Sequence, residues 1–183
     1  MIKKGLAFEK ADVSVIIPVY NSGEEAYRAV ESIAHQTLLP LEVILIDDCS
    51  PKLDETGLWL SKIQDNFRDK FALKVLYQRE NKGPGDARNA GWDIARGKYV
   101  AFLDSDDVWH PQKLDIQYGF MIRHPNVGFS CHHLAIISAD KIQSFSSSNL
   151  TITDKNFIKI RPTRYLFKHY PIGGTSYVMA KNV

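Results

Sequence analysis

Asp104, Asp106 and Asp107 close the apolar run Tyr99-Val-Ala-Phe-Leu-Asp-Ser-Asp-Asp107 and bring three carboxylates into four positions. Carboxylates this crowded repel one another and resist desolvation, so a strand that ends in them has a cation or a proton for them to hold. The plainer reading is an acidic turn in which Asp107 caps the helix that follows. The other residue types suited to chemistry are scattered. His132, His133 and His169 are candidate metal ligands or bases, but adjacent residues of a strand point to opposite faces, so His132 and His133 do not readily share an ion. Gly173-Gly174 leaves room for a ligand or makes a simple turn.

The elements that would position the carboxylates follow a regular alternation. Val13-Ser-Val-Ile-Ile-Pro-Val-Tyr20 is a β-branched run bounded by Asn21-Ser-Gly and predicts a buried strand. Ser22 with Glu25 fits a capping box, and Ala26, Val30, Ile33 and Ala34 recur at helical spacing. Leu41 to Asp47 predicts a second strand, Leu60, Ile63 and Phe67 a second helix, and Ala72 to Tyr77 a third strand. Arg79 to Asp86 reads as a loop from its glycines and proline. Ala87 to Ala95 then predicts a helix with Ala87, Ala90, Gly91 and Ile94 on a small-residue face, stopped by Gly97. Tyr99 to Leu103 is the fourth strand and delivers Asp104.

This order of strands and helices predicts right-handed crossovers and a three-layer α/β/α sandwich with a mostly parallel sheet. Ligands of such sheets bind beyond the carboxyl ends of the strands. Tyr20, Asp48, Asn81 and Asp104 all fall at those ends, so one shared pocket is expected. Beyond it, Pro111 suits the first turn of a helix carrying Leu114, Tyr118, Met121 and Ile122. Val127 to Ile137 predicts one or two strands, Ser138 to Asn149 a loop or hairpin tip, Pro162 to Lys168 a short helix, and Thr175 to Ala180 a last strand.

Composition narrows the function. The 183 residues are 44% hydrophobic and 24% charged, as expected of one soluble domain with a substantial core and no second domain. A net charge of +2 implies no nucleic-acid partner. Lys155 to Lys168 is locally basic, a solvated face or a peripheral contact with phosphates or a membrane surface. Cys49 and Cys131 are too few for a disulfide framework and lack metal-ligand spacing, which suits buried thiols in a reducing compartment. No apolar run approaches the roughly 20 residues of a spanning helix, so the expected location is cytoplasmic, including the inner face of the membrane.

Ser14-Val-Ile-Ile-Pro-Val-Tyr-Asn21, Ile46-Asp-Asp-Cys-Ser-Pro51, Asn81-Lys-Gly-Pro-Gly-Asp-Ala-Arg-Asn-Ala-Gly91 and Leu103-Asp-Ser-Asp-Asp107, followed by Pro111, together resemble the family 2 glycosyltransferases of the GT-A fold. The match runs from about Val13 to Leu114, with residues 13–107 as the nucleotide-sugar-binding half. The resemblance implies a nucleotide-diphosphate sugar donor, commonly a uridine diphosphate sugar, and transfer to a saccharide or lipid-linked acceptor hydroxyl with inversion. It implies that Pro18 and Tyr20 meet the base, Tyr20 by stacking worth about 1–3 kcal/mol, and that Asp48 accepts from the base imide while Asp47 is structural. Asn81 and Arg88 would line the nucleotide site, although a surface salt bridge is the alternative for Arg88. Asp104 would contact ribose or metal and Asp106 would ligate the metal, with Asp107 orienting the turn. Carboxylate and phosphate oxygens suit Mn2+ or Mg2+ rather than zinc. Inverting transfer also needs a general base, and the family's base falls beyond the strand resembling Thr175 to Met179. Asp140 and Asp154 precede that strand, so the base is expected beyond Val183 and the chain reads as the N-terminal part of a longer enzyme. A non-catalytic nucleotide-sugar-binding module is the alternative. A receiver-type phosphoacceptor domain would not predict the Asn81 to Gly91 string, and a dinucleotide oxidoreductase would need G-x-G-x-x-G after the first strand.

Overall fold

The computed structural model describes residues 10–51, 55–131, 136–138, 141–143, 176 and 178–182. Strands β1 (Ala11–Val19), β2 (Pro40–Asp47), β3 (Ala72–Tyr77) and β4 (Tyr99–Phe102) alternate with helices α1 (Gly23–Ala34), α2 (Thr56–Phe67) and α3 (Pro84–Asp93). Helix α4 (Lys113–Arg123) leads into the short strands β5 (Phe129–Cys131), β6 (Ile136–Ser138) and β7 (Lys141–Gln143), and β8 (Val178–Lys181) returns to the sheet. Six strands pair in the order β3-β2-β1-β4-β8-β5, while β6 and β7 form a separate hairpin. The first four run parallel, and β8 inserts antiparallel between β4 and β5.

Both faces of the sheet are covered, which is why β1 and β2 carry continuous apolar runs, Val15 to Val19 and Val43 to Ile46, rather than an alternating pattern. Val13, Val15, Ile17 and Val19 of β1 join one core with Ala26, Val30 and Ile33 of α1, Leu60 and Ile63 of α2, and Leu114 and Met121 of α4. Ile16, Ile44, Ile46 and Phe102 face α3 through Ala87 and Trp92. The result is the expected three-layer sandwich, with α3 the described helix on the second face. It sits close because Gly91 has no side chain: a Cβ there would fall 2.6 Å from Ile16 Cγ2 and 2.8 Å from Ile46 Cδ1.

Several local expectations are corrected. Ser22 is the N-cap residue of α1 but makes no side-chain cap bond. Its hydroxyl is engaged with the Tyr20 N–H and the Ser105 hydroxyl instead. Helix α3 starts at Pro84, inside the expected loop, because proline suits a first turn and Gly83 supplies a positive φ of 85° before it. The same helix ends at Asp93, before Gly97, and its buried face takes Trp92 in place of the exposed Ile94. Gly97 permits close approach rather than stopping a helix, since a Cβ there would lie 2.5 Å from the Ser14 nitrogen. Pro111 precedes α4, whose N-cap is Gln112, and its carbonyl accepts the Thr37 N–H at 2.8 Å. Neither thiol is buried: Cys49 is half-buried and Cys131 exposed. Ser144 to Asn149, Pro162 to Lys168, the basic stretch, Gly173-Gly174, His132, His133, His169, Asp140 and Asp154 lie outside the described residues.

Two buried charged side chains were not singled out from sequence. Glu42 is wholly inaccessible on β2. It accepts from the Ser14 hydroxyl (2.7 Å) and from the Arg96 N–H (2.7 Å) and Nε (3.0 Å), and pairs with Lys74 at 3.0 Å. Burial alone would push its carboxyl up, but these donors together hold it below the usual carboxylate range.

Lys113, at the start of α4, is buried with its Nζ lacking a hydrogen-bond partner among the described residues and lying 3.5 Å from the centre of the Trp109 ring. Burial pushes its amine well below the ordinary lysine range. Lys113→Met keeps the packed stem and removes the orphaned amine, so it is expected to raise unfolding free energy by about 1–3 kcal/mol. The unfolded chain binds a proton that the folded chain does not, so wild-type stability should rise with alkaline pH until the ordinary lysine value near about 10.4 is passed. Urea unfolding across that range checks both effects; an unchanged midpoint in Lys113→Met would count against them.

Candidate active site

The chain passes from β1 to β2 and β3 on one side, then crosses back to place β4 on the other side of β1. Between β1 and β4 the connections diverge, and the carboxyl ends of the two strands open a crevice there. Their ladder ends at Ile16–Phe102. Pro18 lies beyond that last pair, where the missing N–H costs no ladder bond.

A pocket of about 500 Å³ occupies this crevice, and Pro18, Tyr20, Asp48, Asn81, Arg88, Asp104 and Asp106 all line it. The residues expected from the strand ends are thus brought together. Tyr20 is 46% exposed. After it the chain turns through Asn21, in the left-handed region at φ 51°, and the Asn21 N–H donates to Ser50 Oγ at 3.1 Å. Asp47 takes a structural place, its Oδ1 accepting the Ser50 N–H at 3.0 Å.

Asp48 is only 2% exposed. Its Oδ1 accepts the Lys82 N–H at 3.0 Å and its Oδ2 the Gly83 N–H at 2.7 Å. Asp48 is therefore first a clamp on the β3–α3 loop, and each oxygen keeps a further acceptor position for a ligand. The same Gly83 N–H also reaches Asn81 Oδ1 at 3.2 Å.

Arg88, in the first turns of α3, pairs through Nη2 with Asp104 Oδ1 inside the crevice. Its Nε is buried without a hydrogen-bond partner among the described residues, in the wall of a polar pocket. Asp106 is exposed at the same wall. Asp107 stands behind it, its N–H closing the turn onto the Asp104 carbonyl at 3.0 Å.

Among the described residues no three His, Cys, Asp or Glu side chains gather as a metal cage. Asp104 and Asp106 alone present oxygen donors two residues apart, a set that fits a hard cation taking its remaining ligands from phosphate and water. Sequence reasoning took Ser22 only as a helix cap and overlooked Ser105 and Ser176. Ser176 lies 72 positions from the Asp104 it bonds, and nothing local to either residue marks the pairing.

The fold is that of the GT-A glycosyltransferases. Residues 14–181 match the family model "Glycosyl transferase family 2", and the chain belongs to that family. It is similar to the succinoglycan biosynthesis protein ExoO of Rhizobium meliloti, 39% identical over 103 residues that make up 56% of this chain and 28% of that protein. It is also similar to the Escherichia coli UDP-Glc:alpha-D-GlcNAc-diphosphoundecaprenol beta-1,3-glucosyltransferase WfaP, 40% identical over 60% of this chain and 41% of that protein. The chain therefore spans less than half the length of either relative. Among solved structures, S. aureus TarS 1-349 in complex with UDP-GlcNAc aligns with a TM-score of 0.53 and 36% identity, over 62% of this chain and 32% of that one. The mannosyltransferase PcManGT from Pyrobaculum calidifontis, in complex with GDP-Man and Mn2+, aligns with a TM-score of 0.61 and 25% identity, over 68% of this chain and 36% of that one. Among the described residues no helix is long and apolar enough to cross a membrane.

Proposed function

We propose that the crevice between β1 and β4 binds a nucleotide-diphosphate sugar, of which a uridine diphosphate sugar is the favoured form, and that the enzyme transfers its hexosyl group with inversion to an acceptor hydroxyl. One observation carries this reading: an aromatic ring, two amide-facing acceptors, an arginine whose Nε has no hydrogen-bond partner among the described residues and two carboxylates line a single pocket of about 500 Å³. That volume and mixture suit a nucleotide better than an apolar metabolite.

In this reading Tyr20 stacks on the base while Pro18 meets its edge. Asp48 and Asn81 accept from the base, held by the loop amides they already engage. Arg88 turns its Nε to a ligand oxygen and keeps Asp104 in place through Nη2, and Asp104 would contact ribose or metal. Asp106, with Asp104, would hold Mn2+ or Mg2+, which when bound supplies positive charge against the departing diphosphate. The acceptor proton passes to a general base on the opposite face of the sugar.

Relatives named for UDP-Glc, UDP-GlcNAc and GDP-Man complexes or reactions support the donor class. The diphosphoundecaprenol in one relative's name supports a saccharide acceptor carried on lipid, and hence action at the cytoplasmic face of a membrane. Titration calorimetry with uridine diphosphate, with and without Mn2+, tests the assignment. Binding that tightens at least about tenfold, or about 1.4 kcal/mol, with Mn2+ is expected; no binding of any nucleoside diphosphate would overturn it.

A further inference from the structure

We infer that Ser176 is a positioning residue for the acidic turn, setting the metal and diphosphate affinity of the pocket without touching either ligand; this rests on the donor-site reading above. Ser176 precedes β8, the antiparallel strand inserted beside β4. It is 8% exposed and does not line the pocket. Its two polar groups hold both ends of the segment from Asp104 to Trp109. Ser176 Oγ accepts the Asp104 N–H at 2.9 Å, and its carbonyl accepts the Trp109 indole N–H at 2.7 Å.

The middle and far end of the segment are held from the opposite side. Ser105 Oγ meets Ser22 Oγ at 2.9 Å, and the Trp109 N–H donates to Ser32 Oγ at 3.1 Å. Asp106 therefore sits on a six-residue turn anchored by hydroxyls from α1, the β1–α1 connection and Ser176 ahead of β8. Asp104 is half-buried beside Arg88 and Asp106 is exposed, and among the described residues no third carboxylate, His or Cys completes a cage, so the spacing of the two depends on these outer contacts. Partners of this kind behind metal ligands typically govern about 10- to 100-fold in metal affinity. Ser176 thereby links the metal turn to the approach of β8, the strand paired with β4 and β5.

The test compares wild type with Ser176→Ala and Ser176→Thr by Mn2+ electron paramagnetic resonance in the presence of uridine diphosphate, and by calorimetry of uridine diphosphate without metal. The inference expects Ser176→Ala to weaken Mn2+ binding at least about tenfold, to leave metal-free nucleotide binding within about twofold, and to be rescued in large part by threonine, which keeps the Oγ acceptor. In an Asp106→Ala background the alanine at 176 should have no further effect on metal dependence. A folded Ser176→Ala protein with wild-type Mn2+ affinity would overturn the inference, as would equal losses with and without metal, which mark a merely structural role. Should Ser176→Ala fail to fold, Trp109→Phe removes the indole N–H that the Ser176 carbonyl accepts at the far end of the same turn and carries the same expectation and the same refutation. Wild type binding neither nucleotide nor Mn2+ would instead sink the donor-site reading itself, a result distinct from any failure confined to the variants.

Discussion

Asp106→Ala should abolish the Mn2+-dependent part of uridine diphosphate binding and, in the longer enzyme that carries the general base, lower sugar transfer by about 100-fold or more, a loss of about 2.7 kcal/mol. The size follows from what the side chain is free to do. Asp106 lines the pocket and is exposed, and it takes no part in the hydrogen bonds that hold its turn. Its removal should therefore leave the fold and the unfolding midpoint unchanged within about 0.5 kcal/mol, as for other exposed substitutions. Asp104→Ala is a less clean experiment, because it also strands the Arg88 guanidinium. Calorimetry with and without Mn2+, alongside urea unfolding, separates the two effects. Wild-type metal dependence in Asp106→Ala would remove this residue from the metal site.

Glu42→Ala is expected to cost about 3–5 kcal/mol of unfolding free energy, the range for removing one partner from a buried charged network. Its Lys74 and Arg96 side-chain pairs contribute the smaller part, since those side chains are 36% and 59% exposed and solvent screens them. The larger part comes from the Ser14 hydroxyl and the Arg96 N–H, which lose their acceptor. Glu42→Gln keeps one acceptor oxygen and should cost less. The pH dependence has a definite sign. Because the folded carboxyl is held below its usual range, the stabilisation is present above the unfolded value of about 4.3 and is lost as pH falls through the lower folded value. Urea unfolding should show the gap between wild type and Glu42→Ala closing as pH falls through that window; a gap independent of pH would contradict the charged network.

The four strands around the crevice were readable because their residues carry the signal locally. With helices on both faces, β1 and β2 need unbroken apolar runs rich in β-branched residues, and Val15 to Val19 and Val43 to Ile46 supply them. Boundaries were less legible where a residue has two uses. Pro84 and Gly83 read equally as loop punctuation and as the start of α3. Ser22 has the chemistry of a cap, but its hydroxyl has a second partner in Ser105, 83 positions away.

The sequence by itself determined the element types of the first half and which polar residues stand at the strand ends, because both depend on spacing along a few residues. Only the tertiary structure decided that β4 lies beside β1, opening the crevice between them, and that β8 enters antiparallel beyond it. It alone assigned Asp48 to the loop amides, Arg88 to Asp104, Ser176 to the acidic turn and Glu42 to Arg96. Such pairings satisfy buried polar groups across 16 to 72 positions of chain, and a hydroxyl or carboxylate carries no local mark of which distant N–H will reach it once the strands are ordered.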